Sequence, residues 1–119
     1  MRRRLAQLVH EEMSRNEKVY VLIADVGYAM WDRVQEAFPE RFFNCGSAEN
    51  CMVGVAVGLA QAGKIPLCYT LTSFLLYRPF EMLRNYVGVA RTPIKLIGSG
   101  RDKDYGVDGY MHWADATLS

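Results

Sequence analysis

Tyr20-Val21-Leu22-Ile23-Ala24 is the segment that most constrains the fold. Five consecutive apolar residues are too few for an amphipathic helix, and they lack the polar alternation of a strand with one wet face. The run therefore reads as a β-strand buried on both sides. Such a strand needs helices above and below it, and the sequence supplies them. Leu5, Leu8, Val9 and Met13 recur at helical spacing, which predicts a first helix over residues 3–15 ending before the polar Asn16-Glu17. Trp31, Val34 and Phe38 suggest a short helix stopped at Pro39, and Phe42-Phe43-Asn44 a brief second strand. Ser47 can cap a further helix whose Met52, Val55, Ala56 and Leu59 form one face and whose Gly63 stands at its C-terminal turn. A third strand over 66–70, a third major helix over 80–90 and a fourth strand over 94–97 complete the alternation.

Strand and helix in strict alternation predict an α/β fold, an open, mostly parallel sheet with flanking helices joined by right-handed crossovers. The 119 residues fit one domain, taken as 1–119. In such sheets ligands gather beyond the carboxyl ends of the strands. Asp25, residues 70–74 and residues 98–112 all follow strands and are expected to converge on one edge. Gly54 and Gly58, one turn apart, are expected to let another helix or backbone approach closely. The glycine-rich, charged tail from Gly98 reads either as a functional loop or as a poorly ordered segment.

Half of the residues are apolar and 23% are charged, the composition of a globular chain rather than a disordered one. A net charge of +1 gives no reason to expect a nucleic acid or a membrane as partner, and Met1-Arg2-Arg3-Arg4 reads as a solvated helix start. No apolar stretch approaches the ~18 residues of a membrane span, and the N-terminus lacks the order of a signal peptide, so the expected address is the cytoplasm. Cys45, Cys51 and Cys68 show no paired metal-ligand spacing. They are expected to be reduced, mostly buried thiols, and no metal ligands are assigned.

Gly46-Ser47-Ala48-Glu49-Asn50 places an acidic residue in the first turn of a helix that then turns almost wholly apolar. Alone, Glu49 reads as a carboxylate favourable to the helix dipole. The stretch gains meaning from its neighbours: Ala24-Asp25-Val26-Gly27, the run from Phe38-Pro39-Glu40-Arg41 to Glu49-Asn50, Ala60-Gln61-Ala62-Gly63-Lys64-Ile65-Pro66, residues 70–84, and Tyr105-Gly106-Val107-Asp108-Gly109-Tyr110-Met111-His112. In this order, over residues 19–112, the sequence resembles the pyrimidine-binding domain of the transketolase family of thiamine-diphosphate enzymes. That family includes deoxyxylulose-phosphate synthase and, more distantly, the β chains of 2-oxoacid dehydrogenases.

The resemblance implies transfer of a two-carbon ketol unit between sugar phosphates, with Glu49 as the carboxylate that activates thiamine diphosphate at N1′ of its pyrimidine. One carboxyl group suffices for that, because the cofactor carries the remaining chemistry. It implies a pyrimidine held at Leu71, Phe74 and Tyr77, with Phe74 and Tyr77 aromatic and Leu71 not; aromatics at this spacing are also ordinary core residues. Asp25 matches a position beside the cofactor and equally suits a turn. Asp108 and His112 match the substrate end of an Asp-Gly-Pro-Thr-His motif, a carboxylate reading a sugar hydroxyl and a catalytic histidine holding the carbonyl oxygen or relaying a proton. Here Tyr110-Met111 replaces Pro-Thr, and His112 also reads as a plain loop histidine.

The family's Gly-Asp-Gly and asparagine, which ligate the magnesium between the cofactor's phosphates, have no counterpart in the sequence. Magnesium and diphosphate are therefore expected on a partner, a diphosphate-binding transketolase-type chain, in a homo- or hetero-oligomer. The sheet is expected to be incomplete at its C-terminal side, a natural split subunit or a truncated piece. Two other readings stand beside this one: a non-catalytic relic serving as an interaction or regulatory module, and part of a deoxyxylulose-phosphate synthase.

Overall fold

The computed structural model describes residues 1–114, so the last residues of the expected 1–119 domain lie outside it. Helix α1 (Arg2–Arg15) leads into β1 (Val19–Ile23), α2 (Asp32–Ala37), a 3-10 turn (Pro39–Arg41) and β2 (Phe42–Asn44). Helix α3 (Glu49–Gln61), β3 (Ile65–Leu71) and α4 (Thr72–Tyr77) follow. A short α5 (Phe80–Met82) continues as a π-helix (Leu83–Val89), and β4 (Lys95–Ser99) ends the sheet.

The strands are ordered β2-β1-β3-β4 and every pairing is parallel. Alternation along the two central strands builds two cores. Val19, Val21 and Ile23 of β1, with Leu67 and Tyr69 of β3, face α1 and α2, where they meet Ala6, Val9, Met13, Trp31 and Val34. Leu22 and Cys68 point the other way, to Met52, Val53, Ala56 and Val57 of α3 and to Leu75 and Ile94. This is the physical reason for the unbroken apolar runs: each side chain has a dry face to enter, contributing roughly 1.5–3 kcal/mol when a large aliphatic is fully buried.

Several local expectations need correction. Leu8 is exposed, and α1 buries Ala6, Val9 and Met13 instead. The N-cap of α3 is Ala48, with no side-chain cap, because Ser47 lies one residue too early. That helix buries Met52, Val53, Ala56 and Val57, and Val55 is exposed, since packing against the sheet selects a stripe rotated from the expected one. Neither glycine of α3 admits a backbone. A methyl group on Gly54 would meet only the tip of Met82, at 3.5 Å, and one on Gly58 would meet open space. Gly63 does terminate the helix, at φ +81°. Of the cysteines, Cys68 alone is fully buried; Cys45 is half-buried and Cys51 exposed, because the first turn of α3 turns its Cys51 side outward.

The helix expected over 80–90 has a different hydrogen-bond pattern from Leu83 onward, with Ala90 N–H donating to Asn85 O at 3.0 Å. The segment from Gly100 folds into 3-10 turns, Gly106–Asp108 and Tyr110–His112, closed by a bridge between Asp102 and Ala114.

Candidate cofactor site

Glu49 is the first residue of α3, at the carboxyl-end edge of the sheet, and its side chain is 1% exposed. A buried carboxylate must be paired and hydrogen-bonded. Two residues of the β3-α4 segment do this. Thr70, fully buried near the end of β3 on the face shared with Cys68, donates from Oγ1 to Glu49 Oε1 at 3.3 Å. Arg78, at the C-cap of α4, donates from Nη1 to Oε2 at 2.8 Å, and its own side chain is 44% exposed. The same guanidinium lies over the ring of Phe74, 3.7 Å from the centroid.

Phe74 and Arg78 stand one helical turn apart on α4, so their side chains share a face. Beyond Phe74 lies His112, ring centroids 5.2 Å apart. The turn segment is fastened there by the buried Ser73, whose hydroxyl donates to Met111 O at 2.9 Å. Thr72 holds the start of that segment through Ser99 O, at 3.3 Å, and Gly100 O. His112 Nδ1 sits 3.0 Å from Asp108 O. A carbonyl only accepts, so the neutral ring carries its hydrogen on Nδ1 and leaves Nε2 as the open nitrogen.

Glu49, Phe74 and His112 are thus joined in one chain of contacts through Arg78. The other candidates sit around it. Asp25, exposed and in a left-handed conformation at φ +53°, is held by Asn44. Asn44 Oδ1 accepts from the backbone of Asp25 and of Gly46, both at 3.0 Å, and Nδ2 donates to Asp25 Oδ1 at 3.4 Å. That one side chain ties the loop after β1 to the loop that enters α3. Leu71 is buried at the last position of β3, where alternation groups it with Leu67 and Tyr69, on the face opposite Thr70. Tyr77 is 39% exposed, three residues on from Phe74. Asp108 contributes its backbone carbonyl to His112, while its carboxylate side is exposed.

Arg78, Thr70 and Asn44 are the partners that motif reading does not single out. The signal for Arg78 is indirect: a carboxylate at the head of an apolar helix needs a cation, and Arg78 follows an aromatic by one turn.

Below the site lie two thiols whose acidity is suppressed. Burial pushes the Cys68 thiol up to about 12, with Cys45 adding to it. The Cys45 thiol is raised by burial first and then by Cys51. Among the described residues no group of His, Cys, Asp and Glu could hold a metal ion. A cleft of about 890 Å³ lies elsewhere, between α1 and residues 27–34. It is lined by Arg2, Arg3, His10 and Arg33 among others and by none of the candidate residues, so volume and chemistry point to different places. Among the described residues, only the Glu49 cluster holds a fully buried charged side chain.

The family described as the transketolase pyrimidine-binding domain matches residues 1–118. The chain belongs to this family. A Methanocaldococcus jannaschii protein provisionally assigned as a transketolase C-terminal section is 34% identical over 113 residues, covering 94% of the chain and 36% of that relative. A 6-deoxy-6-sulfo-D-fructose transketolase subunit from a Clostridium species is 32% identical over 113 residues, covering 94% of the chain and 35% of its own length. Among solved structures, one described as a split gene transketolase, inactive beta4 tetramer, matches with a TM-score of 0.72 and 36% identity over 81% of the chain and 32% of that protein. The chain thus spans about a third of the length of these relatives.

As a transketolase pyrimidine-binding-domain chain, it belongs to a family that depends on thiamine diphosphate. The residues present fit the aminopyrimidine end of that group. A buried carboxylate that already binds the edge of a planar cation, beside an aromatic face on which that cation lies, is a donor and acceptor set suited to a flat, nitrogen-rich ring.

Proposed function

We propose that this chain supplies the pyrimidine-binding half of the active site in a transketolase-like enzyme that moves a two-carbon ketol unit between sugar phosphates. The observation that carries the reading is Glu49, a carboxylate 1% exposed at the head of α3, with Phe74 reached through the same guanidinium.

Bound there, thiamine diphosphate supplies a nucleophilic carbon that accepts and releases the ketol unit. Glu49 would hold a proton toward pyrimidine N1′ at Oε2, the oxygen that Arg78 occupies here, while Thr70 keeps Oε1 in place. Phe74 and Tyr77 flank the ring and exclude water from the carboxylate. Asp25, positioned by Asn44, borders the pocket from the loop after β1, while Leu71 closes the end of β3 on the opposite face of the sheet. His112 presents Nε2 to the substrate, as a donor when protonated and an acceptor when neutral, and Asp108 lies on the same turn for a sugar hydroxyl. Magnesium and the diphosphate are held by a second, diphosphate-binding chain. Relatives described as transketolase subunits, and a structural neighbour described as a split gene transketolase, support a site divided between chains.

The test is Glu49→Gln in the complex of the two chains. The amide keeps the shape and loses the transferable proton, so turnover falls by roughly 10²–10⁴-fold while the complex still assembles. Full activity of the variant refutes the assignment.

A further inference from the structure

Arg78 meets Glu49 and Phe74 in the way the proposed function assigns to the pyrimidine ring. Its guanidinium is planar, donates in its own plane to Glu49 Oε2 at 2.8 Å, and lies with its centre 3.7 Å from the Phe74 centroid. A flat cation that donates to the carboxylate from one nitrogen and has its carbon centred over the aromatic ring engages both recognition elements at once. A pyrimidine on the same carboxylate and the same ring face would need that space. We propose that Arg78 is an internal stand-in for the pyrimidine: a latch that closes the site while the cofactor is absent and swings aside when it binds. The inference rests on the functional reading above.

The geometry allows both positions. Arg78 is the C-cap of α4, its side chain is 44% exposed, and a long flexible stem lets the head move into water. Glu49, at 1% exposed, cannot follow it. The latch therefore has two consequences. It neutralises a buried carboxylate that would otherwise be left without a cation in the free chain. It also makes every binding event displace an ion pair, so the pyrimidine gains little by itself and the diphosphate end must contribute to capture. The apparent affinity is reduced by the fraction of chains in which the latch is open.

Two measurements test this. Calorimetric titration of the assembled complex with thiamine diphosphate and magnesium compares wild type with Arg78→Met, which keeps the stem and removes the cation, and with Arg78→Ala. Removing the latch tightens the dissociation constant by roughly five- to tenfold, the size expected for losing a half-exposed ion pair and its ring contact as competitors. Thermal melting of the full chain without cofactor forms the second arm. Arg78→Met lowers the midpoint in the Glu49 background and has a much smaller effect in the Glu49→Gln background.

Unchanged or weaker cofactor binding by both variants, with normal binding by wild type, overturns the latch and leaves the functional reading standing. No binding by wild type overturns the functional reading, and the latch with it. An equal melting loss in both backgrounds shows that Arg78 acts elsewhere than on Glu49, which also overturns the latch.

Discussion

Arg41→Ala tests how α1 is fastened to the sheet that carries the site. In the structure Arg41 Nη1 donates to Asn16 O at 3.0 Å and Val19 O at 3.2 Å, and Nη2 donates to Met13 O at 2.9 Å. Met13 belongs to the last turn of α1, whose carbonyls have no intrahelical partner, and Val19 is the first residue of β1. The guanidinium also lies 4.7 Å from the Phe38 ring centroid. Three bonds at a net ~0.5–1.5 kcal/mol each give a loss of about 2–4 kcal/mol, a large part of the ~5–15 kcal/mol available to a domain. With a urea slope of about 1–3 kcal/mol/M, the midpoint of the full chain falls by about 0.7–4 M. Arg41→Lys recovers little of this, since one ammonium lacks the planar fork that spans the three carbonyls. A midpoint for Arg41→Ala within about 0.3 M of wild type, with the slope unchanged, refutes the argument.

Two further outcomes follow from other parts of the molecule. Asn44→Ala removes the acceptor shared by Asp25 and Gly46 and costs about 1–2 kcal/mol in denaturant unfolding, because water can replace part of an exposed bond; thiamine diphosphate binding to the complex weakens as well, and retention of both properties sinks the positioning role. The Cys68 thiol keeps its proton to about 12 in the fold but loses it near 9.0 when unfolded, so its burial stabilises fully below that lower value and is lost as pH rises through this window. Relative to Cys68→Ala, wild type therefore loses about 1.4 kcal/mol for each pH unit above the unfolded value, and parallel pH-stability curves between pH 9.0 and about 12 contradict this.

The parts of the fold that were legible in the sequence are those where one local pattern admits one packing. The run at 20–24 is apolar throughout and the run at 66–70 is apolar but for Thr70, and a strand between two layers takes such side chains on both faces; β1 and β3 are the two central strands. Positive-φ demand at Gly63 is likewise local. Where the pattern is consistent with several structures, tertiary packing decides. Residues 83–89 alternate apolar and polar groups in a way that suits an α-helix, and nothing in their composition announces the π-helical bonds. Thr72–Tyr77 is too short to show periodicity, so α4 emerges only because β3 ends against it. Met52 and Val53, rather than Val55, face the sheet because the helix is rotated by its contacts with Leu22 and Cys68.

The candidate site divides along the same line. Glu49 and Phe74 are legible only through the resemblance of the surrounding segments, since an acidic residue at a helix start is ordinary by itself and aromatics at this spacing are also plain core residues. Their connection through Arg78 spans 29 residues of sequence and depends on β3 delivering α4 to the head of α3. No spacing rule chooses Arg78 among the 14 basic residues of the chain. Desolvation supplies the rule instead: the fold buries Glu49, so whichever cation the fold brings within reach becomes its partner. That the chosen cation shares a helix face with Phe74 places the aromatic wall and its occupant on one rigid turn of α4. Any movement of α4 that repositions Phe74 therefore also repositions Arg78, and pairing of Glu49 is coupled to the shape of the proposed pyrimidine pocket.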